Sequence, residues 1–307
     1  MNLFYQVLED FDNITYPKND IDAYKLYPNF ANVYNKLEIA KIQGLECNPF
    51  PIYPNKFPII SKPIINLNGM GLGAKKIKNK REFYKDIEST NFWCEFLEGD
   101  HYSWDLILRN GKIIYSTSFY GKKWKFGTFK YWKEETNKLP DNIYLIIDKY
   151  LNNFTGSVNM ETIGNKVIEV HLRMGDIDLT DKDIIYLALI NIQKDTQEEL
   201  INKQLEKIRL KEIKKINLIP IWEKKFINFE LIGEEKYKII KKNIVPLLQN
   251  DDKIIDYYID SMNHPDPEGY KRWFLLLTYD LDYGLKLGKK LEKIIKNLSL
   301  DNNQLYH

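Results

Sequence analysis

The sequence predicts an α+β protein with a helical C-terminal extension, and three observations lead there. Between Lys56 and Asp178, short strand patterns are interleaved with helical ones. Within that stretch, Asn110-Gly111 separates two runs of strand-forming residues, the strongest short-range hairpin signal. From about Leu179 onward the texture changes to long, charged, helix-periodic segments. These are broken near Pro220, Gly233, Pro246 and the turn His264-Pro265-Asp266-Pro267.

The elements follow in order. Asn32 to Gly44 reads as an amphipathic helix through Val33, Leu37, Ala40 and Ile42, with Gly44 as its stop. Phe57 to Lys62 reads as a short strand bounded by prolines. A glycine-rich loop, Asn66 to Gly73, precedes a polar helix over Asn79 to Ser89. Phe92 to Leu97 is expected as a buried strand. The hairpin then pairs Tyr102–Leu108 with Lys112–Phe119. A helix is expected over Asn142 to Asn152. Gly156–Glu161 and Lys166–Leu172 are expected as two antiparallel strands turning at Gly164-Asn165. Further on, Trp273, Leu276, Leu277, Leu281, Leu285 and Leu291 suggest a helical stripe.

The 307 residues, 44% hydrophobic and 29% charged, suffice for two or three domains, with expected divisions at 1–54, 55–178 and 179–307. A net charge of only +2 gives no general case for a polyanion partner. The basic stretch Lys203 to Lys225 is interrupted by Glu206, Glu212 and Glu223, which suits a solvated helix face, so nucleic acid is not an expected partner. Two cysteines, Cys47 and Cys94, are too few for a disulfide framework and are expected as reduced thiols. Met1 to Asp12 is acidic and aromatic, unlike a secretory leader, and no apolar run approaches the roughly 20 residues of a membrane span. The expectation is a cytoplasmic protein with no membrane partner. A homodimer is compatible with the sequence.

Three clusters carry the chemistry. The glycines of the loop, Gly69, Gly71 and Gly73, allow backbone N–H groups to close on phosphate oxygens, and Lys62 at the preceding strand end adds a positive charge. As a strand-end lysine between prolines, Lys62 is expected to be exposed. Neither a Walker loop nor a Rossmann fingerprint is present. In the second cluster, Glu95-Phe96-Leu97-Glu98 leads from a strand into a connection that can offer backbone groups to an adenine edge. His101 follows, within reach of ribose hydroxyls. In the third, Glu169, His171 and Arg173 alternate along a strand and share a face, with Glu161 facing them across the hairpin. Two carboxylates with a nearby N or O ligand suit Mg²⁺, and Arg173 suits phosphate oxygens.

The order of these clusters from Asn35 to Gly175 resembles the ATP-grasp family, in its carbamoyl-phosphate synthetase and biotin carboxylase branch. Asn35-Lys36 resembles the opening Asp/Asn-Lys, and Ile60-Ser61-Lys62-Pro63 the strand whose lysine holds ATP phosphates. Gly69 to Gly73 resembles the mobile phosphate loop, and Glu95 to Gly99 the interlobe hinge. Gly99-Asp100-His101-Tyr102-Ser103-Trp104-Asp105 is similar to Gly-x-Glu-x-Ser-x-Asp. Val158-Asn159-Met160-Glu161 and Ile168-Glu169-Val170-His171-Leu172-Arg173 resemble the two metal-holding segments. His101 stands in place of Glu, His171 in place of Asn and Leu172 in place of Pro.

The resemblance implies a fold of two α+β lobes clamping ATP, at about 55–95 and 96–178, behind an abbreviated N-terminal region. It implies ATP at Lys36, Lys62, the loop glycines, Glu95 to Glu98 and His101. Mg²⁺ is implied at Glu161, Glu169 and His171, with Mn²⁺ as an alternative because imidazole is a poorer Mg²⁺ ligand. Lys62 and Arg173 take the catalytic roles, and Asp105, Lys122 and Arg173 face the substrate. The implied reaction joins a small-molecule or peptide carboxylate to an amine through an acyl phosphate. The competing expectation is a non-catalytic nucleotide-binding scaffold or virion component of the same fold.

Overall fold

The computed structural model describes residues 17, 19–67, 71–125, 128–175, 217–224, 232–259 and 270–301. The chain divides into two compact units. One joins Asn2–Gly121 with Glu135–Ile213, and the other joins Lys122–Glu134 with Lys214–His307. This differs from the three-part division expected above, because the described N-terminal residues share a unit with the central region.

Among the described residues the first unit begins with α1 (Asp20–Leu26), a 3-10 turn (Pro28–Tyr34) and α2 (Lys36–Ile42). The single helix expected over Asn32–Gly44 is thus split. Asn35 caps the second part, its side chain accepting from Glu38 N–H at 3.1 Å, and that extended cap residue interrupts the helix. A four-stranded antiparallel sheet follows in the order β1-β4-β2-β3, from β1 (Cys47–Pro49), β2 (Ile59–Pro63), β3 (Lys75–Ile77) and β4 (Asn91–Glu95). Asn79 caps α3 (Lys80–Lys85), its side chain accepting from Glu82 N–H. Phe50, Ile59, Ile77, Phe83 and Trp93 pack one apolar cluster of this lobe. Leu37, Ala40, Leu45, Cys47, Phe92 and Cys94 pack another.

The hairpin appears where Asn-Gly predicted it. β5 (His101–Arg109) pairs with β6 (Lys112–Lys125), and Asn110 and Gly111 take φ of 47° and 73°. These left-handed values are the ones a two-residue hairpin turn requires. β5 also pairs with β8 (Gly156–Ile163), and β8 with β9 (Lys166–His171), antiparallel throughout. Their pleat separates two environments. Trp104, Leu106, Val158, Met160 and Val170 join a core with Val33 and Ile39 and with Ile143, Ile146 and Ile147 of α4 (Asp141–Tyr150). His101, Ser103, Asp105, Asn159, Glu161, Glu169 and His171 fall on the alternate positions, and so on the other face.

In the second unit β7 (Thr128–Glu134), β10 (Asn217–Lys224), β11 (Ile254–Ile259) and β12 (Tyr270–Thr278) pair in the order β11-β12-β10-β7. The helices expected in this region are present as α5 (Ile232–Gln249) and α6 (Leu281–Asp301). The strands were not expected, and they correct the reading of the helical stripe. Trp273, Leu276 and Leu277 belong to β12, whereas Leu281, Leu285 and Leu291 belong to α6. A fully buried strand is a continuous apolar run, which periodicity alone cannot tell from a helix. Phe274, Leu276, Ile219, Ile221, Leu291 and Ile295 form this unit's core.

Candidate functional site

The polar face of the first unit gathers most of the residues singled out in the sequence. Lys36, at the first position of α2, is 7% exposed, and its Nζ donates to Glu169 Oε1 at 2.5 Å. Its backbone N–H donates to Ile64 O just past β2, fixing the helix start against the strand that carries Lys62. Lys62 Nζ donates to Ile168 O at 3.1 Å and lies 5.6 Å from the Phe92 ring centroid. Lys62 is therefore half-buried, not exposed as expected, because its ammonium sits beside Phe92 and reaches β9. Burial, seconded by the charge of Lys36, pulls its ammonium down to about 8. Glu161 and Glu169 are direct register partners on β8 and β9 and share the face. Burial would push the Glu169 carboxyl up, but Lys36, His171 and Lys62 outweigh it and hold it low.

Glu161 and Glu169 each have a basic neighbour. His101 Nε2 is 2.9 Å from Glu161 Oε2, so the residue expected at the ribose meets a carboxylate expected at the metal. His171 Nδ1 lies 2.9 Å from Asp20 Oδ1, and its Nε2 lies 3.8 Å from Glu169 Oε1. Burial alone would favour neutral imidazole, but Asp20 outweighs it and the His171 pKa is raised. Its Nδ1 is occupied by Asp20, and its Nε2 faces the Glu169 carboxylate. Among the described residues, no group of three His, Cys, Asp or Glu is arranged to hold a metal ion. The carboxylate pair still fits Mg²⁺ of the kind that shares its shell with phosphates and water, which asks for one or two carboxylates from the protein.

Arg173 Nη2 donates to Asp20 Oδ2 at 2.7 Å, and its Nη1 donates to Met174 O. Tyr34 completes this cluster, donating to Asp20 Oδ1 at 3.2 Å and accepting from Leu172 N–H at 3.1 Å. Burial pushes Asp20 up, but His171 and Arg173 hold its carboxyl far below the usual range.

Other expected positions lie further from this centre. Asp105, expected at the substrate, is 1% exposed, and its Oδ1 accepts from Asn159 Nδ2 at 2.8 Å and Gly175 N–H at 2.7 Å. It braces β5 against β8 and the chain after β9, and burial closes it to a substrate. Lys122 is exposed and belongs to the other compact unit. Gly69 lies outside the described residues. Gly71 and Gly73 take φ of 61° and 76°, values open to glycine at no steric cost. At the hinge, Glu95 Oε1 accepts from Glu46 N–H, Lys76 Nζ sits 3.6 Å from the Phe96 ring centroid, and Leu97 packs on the β1–β4 cluster. Glu98 is exposed.

Sequence reasoning missed Asp20 and Tyr34, which lie before the recognisable stretch and carried no local signal. It quoted Ser103 within a motif but gave no role to it, the acceptor of a 2.8 Å bond from Asn159. The alternation that aligned Glu169 with His171 places Asn159 beside Glu161 and could have found it.

No family model and no curated protein matches this sequence. Solved structures do. An L-amino acid ligase from Bacillus licheniformis superposes with a TM-score of 0.58 at 14% identity, covering 95% of this chain and 82% of that one. The carboxyaminoimidazole ribonucleotide synthase from Aspergillus clavatus, complexed with ATP, gives 0.54 at 8% identity, over 89% and 75%. The N5-carboxyaminoimidazole synthetase from Staphylococcus aureus, complexed with ADP, gives 0.54 at 11% identity, over 86% and 73%. The chain has the ATP-grasp fold. In that fold the polar face described here lies on the strands that the ordered motifs had marked, with Lys36 and Lys62 reaching β9 from the other sheet's lobe.

Proposed function

We propose that this chain is an ATP-dependent ligase that activates a carboxylate as an acyl phosphate and passes the acyl group to an amine. The observation that carries the reading is the meeting of Lys36, Lys62, Glu161 and Glu169 on one sheet face of the ATP-grasp fold. The ATP and ADP bound by proteins of similar fold support it.

Lys62 and Lys36 would hold phosphate oxygens, which replace the Ile168 carbonyl and Glu169 as their partners. Glu161 and Glu169 would then hold Mg²⁺, which neutralises charge on the transferring phosphoryl group. Arg173, oriented by Asp20, would lie at the phosphoryl acceptor side as a planar cation. Glu95 to Leu97 would receive the adenine, and the loop around Gly71 and Gly73 would exclude water that would hydrolyse the acyl phosphate. The substrates are placed by class only, a small-molecule or peptide carboxylate and an amine. No helix among the described residues is long and apolar enough to cross a membrane.

The test is a titration with ATP and Mg²⁺, followed by a screen of carboxylate–amine pairs for phosphate release with mass-spectrometric detection of the product. Nucleotide binding with an amide product is expected. A folded protein that ignores ATP and ADP would overturn the reading, and binding without turnover across the screen would favour the scaffold.

A further inference from the structure

The two cysteines lie in the small apolar core packed by Leu37, Ala40, Leu45 and Phe92. Cys47 on β1 and Cys94 on β4 are direct register partners across antiparallel strands, and both are free thiols. The preceding pair, Glu46 and Glu95, is the hydrogen-bonded kind, since Glu95 N–H donates to Glu46 O at 2.8 Å. Pairs alternate along an antiparallel ladder, so Cys47 and Cys94 form a non-hydrogen-bonded pair. In such a pair the Cα atoms approach to about 4.5 Å and the side chains draw together. That separation falls within the roughly 4.4–6.8 Å span of disulfides. We propose that Cys47 and Cys94 form an oxidation-sensitive dithiol that closes to a cross-strand disulfide on reaction with hydrogen peroxide.

The surroundings give the thiols unequal roles. A hydrogen bond from the Cys94 thiol lowers the Cys47 pKa against the effect of burial, with Lys41 and Lys62 adding to it. The same bond, with burial, raises Cys94. Cys47, on the edge strand, is the nucleophile, and Cys94, on the interior strand, is the resolving thiol. The Cys47 thiolate attacks one peroxide oxygen, breaking the O–O bond, releasing hydroxide and becoming a sulfenic acid. The Cys94 sulfur then attacks the sulfenic sulfur, forming the S–S bond and expelling hydroxide. The protons of the two thiols convert both hydroxides to water, so two thiols lose two electrons and one peroxide becomes two waters. Cys47 sits on a three-residue strand at the sheet edge, and edge fraying is the route by which a small oxidant enters.

The experiment treats the full-length folded protein with hydrogen peroxide and maps peptides without reduction. A peptide containing Cys47 joined within one chain to one containing Cys94 is expected, with the loss of two hydrogens and reversal by dithiothreitol. Cys94→Ser should leave a sulfenic acid on Cys47 that dimedone traps, and Cys47→Ser should trap far less at Cys94. Cysteines that stay reduced in the folded protein yet oxidise once it is unfolded are inert core residues and overturn the proposal. Bridges formed only between chains overturn it as well. Neither result depends on whether the protein is a ligase.

Discussion

Asp20 and Arg173, 153 residues apart, meet at 2.7 Å between Oδ2 and Nη2. The contact ties α1 to the chain just beyond β9, and Asp20 carries His171 on its other oxygen. Both Asp20 and His171 are almost wholly buried, at 2% and 4% exposure. Replacing Asp20 by Asn keeps the shape but leaves two cations without their counter-charge. Loss of one partner from a buried ion pair costs about 3–5 kcal/mol. Urea unfolding of Asp20→Asn should show a loss of that size, and a variant as stable as wild type would show that the pair anchors nothing.

The same cluster gives stability a pH dependence of defined sign. The His171 pKa lies above its ordinary 6.5 in the folded chain. Its contribution is therefore full below about 6.5 and fades as the pH rises through the folded value. Asp20 and Glu169 are held low, so theirs is full above about pH 4.5 and is lost as the pH falls through their depressed values. The urea-midpoint gap between wild type and His171→Asn should be widest near about pH 5–6 and narrow toward about pH 9. A gap of constant size across that range would mean that His171 is neutral in the fold.

Lys62 is a cation held at an energetic cost, as its lowered pKa of about 8 records. Lys62→Met removes the charge and keeps an unbranched apolar stem beside Phe92. Stability should hold or rise while affinity for ATP with Mg²⁺ falls tenfold or more, the pattern of a site maintained against stability. Calorimetric titration beside a denaturation curve reads both quantities. Unchanged affinity would remove Lys62 from the phosphate site.

Glu169 is paired to Lys36 in the structure and is proposed to exchange that partner for metal. ATP with Mg²⁺ at a hundredfold excess over Kd should stabilise the wild type by about 2.7 kcal/mol. Glu169→Gln should lose the magnesium-dependent part of that gain and keep a response to nucleotide alone. Equal magnesium dependence in the two proteins would place the metal elsewhere.

The local elements were legible because their causes are local. Asn110-Gly111 sets its hairpin turn by backbone conformation, Asn35 and Asn79 cap helices through neighbouring N–H groups, and the two-residue period of β9 aligns Glu169 with His171. The ordered motifs from Lys36 to Arg173 were enough to point to the fold. What the sequence could not decide is which charges meet. Asp20 reaches His171 and Arg173, Lys36 reaches Glu169, and His101 reaches Glu161, each across 60 or more residues. Those partners are chosen by packing and register, which no short-range pattern encodes. The strands β10 and β12 escaped for the related reason that an element buried on both faces loses its period. Sequence alone therefore determined which side chains stand on each strand face. Tertiary structure decided which are paired, and so that His171 meets the buried carboxylate of Asp20.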